Sequence, residues 1–211
     1  LCKLSYSSFG NIEKTLNPLG FTNIEMYETK SDLDCFLAKR GKSIYLFFRG
    51  TSEYDDVKTD IKFKKTEFES FKAHKGFVNS YNEIRSTVET YITNNFTTDD
   101  ALSGGKIYFS GHSLGGALAN LAAIGVAKQS LLNPFITLIT FGSPRVFGYN
   151  WKLQQLYKTF ETFRVVNADD IVPKLPPAWS NYCHFGNEIP LSFKDKKNRI
   201  KEHSLSLYAE S

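Results

Sequence analysis

The residues Ile107-Tyr108-Phe109-Ser110-Gly111-His112-Ser113-Leu114-Gly115-Gly116-Ala117-Leu118-Ala119 constrain this chain more than any other stretch. A short β-prone run enters a Gly-x-Ser-x-Gly pentapeptide, and an alanine- and leucine-rich helical pattern leaves it. That is a strand, a sharp turn and a helix, the arrangement called a nucleophile elbow. The turn forces Ser113 into a strained backbone conformation and presents its hydroxyl above a sheet. Gly111 and Gly115 flank the serine because a Cβ at either position would collide with the neighbouring strand and helix. With Gly and Ser each near 7% of residues, the pentapeptide alone would arise by chance about 0.07 times in a chain this long. The strand before it and the helix after it lift it above that background, and they call for a sheet with helices packed on it.

A serine hydroxyl is a poor nucleophile at neutral pH. It needs a histidine base, an acid to orient that base, and donors for the oxyanion. Where a serine sits on such an elbow, the chain order is serine, acid, histidine. Of four histidines, His74 precedes Ser113 and His112 adjoins it, pointing elsewhere if Ser113 holds the apex. His184 and His203 follow it, with an acid before both. The acid candidate is Asp170, in Arg164-Val165-Val166-Asn167-Ala168-Asp169-Asp170-Ile171-Val172-Pro173. The apolar alternation there reads as a strand, so Asp170 falls just past its C-terminal end, where open α/β sheets place their chemistry. Asp169 is the competitor, and either could cap the following turn instead. By residues alone the base stays open between His203 and His184, and each could equally be a hydrogen-bonded structural histidine.

These segments together resemble the class 3 lipases, the fungal-type triacylglycerol lipase family. Gly111-His112-Ser113-Leu114-Gly115-Gly116-Ala117 matches that family's nucleophile motif, and Phe48-Arg49-Gly50-Thr51 matches its oxyanion strand end. Thr140-Phe141-Gly142-Ser143-Pro144-Arg145 matches the strand after the nucleophile helix. Asp170-Ile171-Val172-Pro173 matches the acid motif, and His74-Lys75-Gly76-Phe77 and Tyr182-Cys183-His184-Phe185-Gly186 fit further segments. The likeness runs from Leu4-Ser5-Tyr6 to His203.

The resemblance implies an α/β-hydrolase fold: a central, mostly parallel sheet, helices on both faces, and a short lid-like segment after the oxyanion strand. It implies Ser113 as nucleophile, Asp170 as acid and His203 as base, with His184 a structural residue near the site. Thr51 would give a backbone N–H, and its hydroxyl, to the oxyanion hole. The second donor would be the N–H of Leu114, at the positive end of the helix that starts there. In this family the lid follows Thr51, and here Tyr54, Val57 and Ile61 fall on one helical face. Relatives commonly carry a tryptophan where Val57 stands. This smaller, charge-crowded face leaves room for a polar or phospholipid substrate, or for an ordinary surface helix. Lys58, Lys62, Lys64 and Lys65 could favour anionic headgroups, although a charge run is usually a solvated face.

Composition narrows the alternatives. At 211 residues the chain is read as one domain, 1–211, long enough to bury a full core. A net charge of +4, evenly spread, does not argue for nucleic acid. No run of 18 apolar residues suggests a membrane span. Cys2, Cys35 and Cys183 have no zinc or redox spacing, and their odd, sparse set argues against a disulfide framework. Asn95-Phe96-Thr97 is a glycosylation sequon, relevant only to a secreted chain. A first residue of Leu1 leaves a mature form, a trimmed chain or a domain cut from a longer protein all open. Secreted and intracellular locations both stay open, and a monomer is the default reading.

Four β-like runs, 44–49, 106–110, 135–141 and 160–167, alternate with helical patterns at 81–92, 114–128 and 150–157. Pro144, Val146, Val172, Leu175, Trp179 and Leu205 are acyl-groove candidates, and core packing accounts for each equally well. The reading is a serine carboxylic-ester hydrolase for acylglycerols, using an acyl-enzyme and needing no metal or cofactor. The partner expected is a lipid or ester substrate at a lipid–water interface. Alternatives of the same chemistry are a phospholipase A1 or a monoacylglycerol or short-chain esterase. A fold kept for binding, with catalysis lost, is the alternative of another class.

Overall fold

The computed structural model describes residues 2–28, 34–50, 63–129, 131–191 and 203–209. After a 3-10 turn at Cys2–Tyr6, helix α1 (Phe9–Leu16) leads into strands β1 (Phe21–Glu28), β2 (Asp34–Arg40) and β3 (Ser43–Phe48). Strands β4 (Lys65–Phe68) and β5 (Phe71–His74) form a hairpin before the long helix α2 (Lys75–Asn95) and the short α3 (Thr98–Leu102). Strand β6 (Ile107–His112), helix α4 (Leu114–Gln129) and strand β7 (Ile136–Phe141) make the central crossover. Strand β8 (Phe147–Gly148), helix α5 (Trp151–Tyr157), strands β9 (Glu161–Asn167), β10 (Tyr182–Cys183) and β11 (Asn187–Leu191) and helix α6 (Leu205–Ala209) complete the order.

Seven strands pair in the order β1-β2-β3-β6-β7-β9-β11. The two pairings among β1, β2 and β3 are antiparallel; β3-β6, β6-β7, β7-β9 and β9-β11 are parallel. This is the mostly parallel sheet the sequence implies, and all four β-like runs lie in it. The β1–β2 hairpin and β11 are additions that the pattern did not single out. A second sheet, β10-β8-β5-β4, packs beside it and was not foreseen, because two of its strands are only two residues long.

Period-two alternation assigns the two faces of the main sheet. Ile44, Leu46, Phe48, Ile107, Phe109 and Leu138 point to a core shared with α2 and α4. On the opposite face, Phe36, Ala38 and Phe47 pack with Cys2, Ile12, Leu16 and Phe21 from the N-terminal segment, and Leu205 of α6 leans on them. Helices therefore lie on both faces. Helix α4 is apolar nearly all round because it is enclosed on nearly every side: Leu118, Leu121 and Ile124 are fully buried. Each such side chain contributes about 1.5–3 kcal/mol of burial free energy. The polar exception, Asn120, is satisfied by the Tyr157 hydroxyl at 2.7 Å and by donating to the Gly116 carbonyl at 2.8 Å.

Capping fixes the helix starts. His74 Nδ1 accepts from Phe77 N–H at the head of α2, Thr97 and Asp100 form a capping box on α3, and Asn150 caps α5. Among the described residues no helix is long and apolar enough to cross a membrane, and no three His, Cys, Asp or Glu cluster as a metal site. The three cysteines are free thiols. The sequon asparagine, Asn95, is buried, with its amide donating to Tyr91 O and its carbonyl accepting from Asn23. Both tryptophans lie at the surface, Trp151 61% and Trp179 81% exposed.

Candidate active site

Ser113 follows β6 directly and carries φ +57°, a left-handed conformation that non-glycine residues adopt only under constraint. Close packing supplies that constraint. A Cβ on Gly111 would stand 2.2 Å from the Gly115 carbonyl oxygen, and one on Gly115 would stand 2.1 Å from the Phe48 carbonyl oxygen. The two glycines let strand β6 fold straight into α4 while α4 presses on the end of β3. The Ser113 N–H is held by the Phe141 carbonyl at 3.0 Å, at the C-terminal end of the next strand.

Asp170 follows β9 and is completely buried, whereas its competitor Asp169 is exposed. Three donors converge on the Asp170 carboxylate. Val172 N–H reaches Oδ1 at 2.8 Å, and the Tyr208 hydroxyl and His203 Nδ1 both reach Oδ2 at 2.6 Å. The carboxylate can only accept from the ring, so Nδ1 carries the proton and the lone pair of the neutral imidazole resides on Nε2. His203 is buried at the entrance to α6, and its ring stacks on His112 with centroids 4.6 Å apart.

Asp170 and His203 meet beside the end of β7, next to the residue that holds the Ser113 backbone. That residue is Phe141, and the next, Gly142, abuts both. A Cβ on Gly142 would stand 2.9 Å from Asp170 Oδ2 and 3.0 Å from His203 Cε1, and its φ of +54° is again left-handed. Leu114 opens α4, so its N–H belongs to the first turn, whose donors have no intrahelical partner. Gly50, one residue before Thr51, presses on the nucleophile: its Cβ would stand 3.3 Å from Ser113 Cβ. Thr51 itself lies outside the described residues, as do the lid candidates Tyr54, Val57 and Ile61.

His184 lies apart from this cluster. Its Nε2 donates to the Pro173 carbonyl at 2.7 Å, bracing the turn that follows Asp170. Burial, then the charge of Arg164, pushes its pKa from 6.5 down to about 3. A ring held neutral and committed to a carbonyl supports a fold. His74 is spent on its helix cap. Lys65, one of the suggested headgroup lysines, donates to Ser180 O and lies over the Tyr182 ring at 4.5 Å. Among the groove candidates, Val146 and Val172 are core residues, while Trp179 faces solvent against Phe63.

Sequence reasoning missed Tyr208 and Gly142 as members of the site. Tyr208 sits 38 positions from Asp170, and no local pattern announces a hydroxyl that reaches so far back. Gly142 was visible within the Phe-Gly-Ser-Pro motif, but its need for a missing Cβ is set by residues that arrive from elsewhere.

A profile described as Lipase (class 3) matches residues 45–179. The chain is 33% identical over 152 residues to a lipase of Rhizomucor miehei, covering 70% of this chain and 41% of that protein. It is 36% identical over 118 residues to secreted mono- and diacylglycerol lipase 1 of Fusarium solani, covering 54% and 33% respectively. A solved triacylglycerol lipase, described as having a serine protease triad as its catalytic centre, superposes with a TM-score of 0.70 at 31% identity. That match covers 81% of this chain and 66% of that one. The chain spans about two fifths of the length of the Rhizomucor and Rhizopus niveus lipases it matches, 41% and 38%.

Proposed function

Because this chain belongs to the class 3 lipases and has the α/β-hydrolase fold, we propose that it is a serine carboxylic-ester hydrolase acting on acylglycerol lipids. Residues 1–211 act as one catalytic domain. Ser113 Oγ attacks the ester carbonyl while His203 Nε2 takes its proton. Asp170 keeps the ring in the Nδ1–H tautomer and stabilises the imidazolium that forms. The tetrahedral oxyanion is met by the N–H groups of Leu114 and Thr51, and loss of one such donor costs roughly a hundred- to thousandfold in turnover. The alcohol leaves with the proton from His203, water attacks the acyl-enzyme by the same base, and the fatty acid departs. Every proton in the cycle moves through His203, so no metal or cofactor enters.

The observation that carries this reading is the 2.6 Å contact between Asp170 Oδ2 and His203 Nδ1 beside the strained Ser113. A fully buried carboxylate with three donors is an orienting group, held in place before substrate arrives. The acylglycerol choice draws on the mono- and diacylglycerol lipase and the triacylglycerol lipase among its relatives. The test is turnover on tri-, di- and monoacylglycerols, phospholipids and short soluble esters, below and above their aggregation thresholds, with Ser113→Ala as control. Ser113-dependent release of fatty acid from acylglycerols is expected. Turnover confined to phospholipids or to soluble esters would replace the headgroup assignment, and no Ser113-dependent turnover would leave a binding module.

A further inference from the structure

His112 precedes the nucleophile, is buried, and has no part in the chemistry just described. Both of its ring nitrogens are nevertheless engaged. Nε2 lies 2.8 Å from the main-chain carbonyl of His203, and Nδ1 lies 3.2 Å from the Tyr6 hydroxyl. The Tyr6 oxygen lies against Gly50, where an added Cβ would stand 2.8 Å from it. The His203 carbonyl can only accept.

That fixes the direction of one link: His112 Nε2–H donates to His203 O. In the neutral ring Nδ1 is then left to accept from the Tyr6 O–H. Its surroundings agree. Burial, then the charge of His203, takes the His112 pKa from 6.5 down to about 3, and burial raises Tyr6 to about 12. The same ring stacks on the His203 imidazole at 30° between planes and touches Tyr208 edge-on at 5.8 Å.

We propose that His112 is a positioning residue for the base: its Nε2–H and ring face hold His203 in place beside Asp170, in a tautomer dictated by the His203 carbonyl. Asp170 holds the imidazole at Nδ1, and His112 holds the backbone from which that imidazole hangs. The nucleophile, its preceding residue and the base are thereby one rigid unit. Gly50, just past the oxyanion strand, packs against it, where an added Cβ would stand 2.7 Å from His112 O. This inference rests on the assignment of Ser113, Asp170 and His203 above.

The experiment compares His112→Phe, which keeps the stack and loses the donor, with His112→Gln, which restores an N–H at the Nε2 position. Tyr6→Phe removes the hydroxyl that faces Nδ1. The substrate is p-nitrophenyl butyrate, a soluble ester, and the native enzyme is also studied by 15N NMR of its histidines. At pH 7 His112 should appear as a neutral Nε2–H ring. Misplacement of a reacting group by about 1 Å can cost a hundredfold. His112→Phe should therefore lower kcat at least tenfold with KM within about twofold, and His112→Gln should recover part of that loss. An Nδ1–H or protonated His112, a wild-type kcat in His112→Phe, or equal losses in Phe and Gln variants would overturn the proposal. Loss of esterase activity in Ser113→Ala must hold throughout. If Ser113→Ala stays active, the assignment of the nucleophile fails; if only the His112 variants are silent, the positioning role fails alone.

Discussion

Asp170 and Gly142 decide how tightly the site is set. Asp170 fixes the tautomer of His203 by offering only acceptors. Asp170→Asn would present an amide N–H to Nδ1 or turn the ring over, and kcat should fall by as much as about ten-thousandfold while the fold survives. Steady-state kinetics beside a circular dichroism spectrum would check this, and a drop below tenfold would contradict it. Gly142→Ala is the steric counterpart. The added methyl would meet Asp170 Oδ2 at 2.9 Å and the His203 ring at 3.0 Å, in a backbone region that alanine avoids. The acid–base pair should separate, and turnover should fall at least about tenfold, more than any loss of binding, which a kcat and KM comparison would read. At this scale the sequence spoke unevenly. Ser113 was legible because an elbow is a local event of glycines, strand and helix. The choice between His203 and His184 was not, since it depends on which imidazole arrives beside Asp170. Tyr6, Tyr208 and the role of His112 were silent for the same reason.

Between elements, the β6–α4–β7 crossover carries the site, and its integrity rests on a helix with one buried polar side chain. Tyr157 of α5 donates to Asn120 of α4, tying two helices together through a contact with no solvent access. Tyr157→Phe leaves the Asn120 carbonyl oxygen without that donor, at a cost of about 1–3 kcal/mol. Urea denaturation should show a lower midpoint with an unchanged slope; an unmoved midpoint would mean that water replaces the hydroxyl. The strands 44–49, 106–110, 135–141 and 160–167 were readable because runs rich in aromatic and β-branched residues, bounded by turn residues, leave a clear pattern. The second sheet was not, because β8 and β10 are two residues each and exist only through pairing, β10 with β8 and β8 with β5. Helix α4 was readable for the opposite reason: a helix apolar on every side announces that it is enclosed.

For the molecule as a whole, two histidines held neutral, the buried His112 and the half-buried His184, tie stability to pH. His112 and His184 are both pushed from 6.5 to about 3, chiefly by burial. Between those values the unfolded chain binds protons that the native state refuses. Their contribution is therefore complete above pH 6.5 and is lost progressively as pH falls toward 3. Each adds up to roughly 1.4 kcal/mol per pH unit to the slope in that window. The urea midpoint should be clearly lower at pH 5 than at pH 7, and His184→Gln should flatten the difference; equal midpoints would contradict both placements.

The exposure of Trp151 and Trp179 bears on how all of this can be watched. No indole is in the core, so excitation of tryptophan reports on hydrated rings in the native chain as well as in the denatured one. Emission wavelength is then a poor witness to unfolding, and backbone dichroism or the buried Tyr81, Tyr91 and Tyr157 must serve instead. The same blindness has a use. Whatever settles on either indole, a lipid aggregate included, will dry it and shift its light to the blue while the core stays optically quiet.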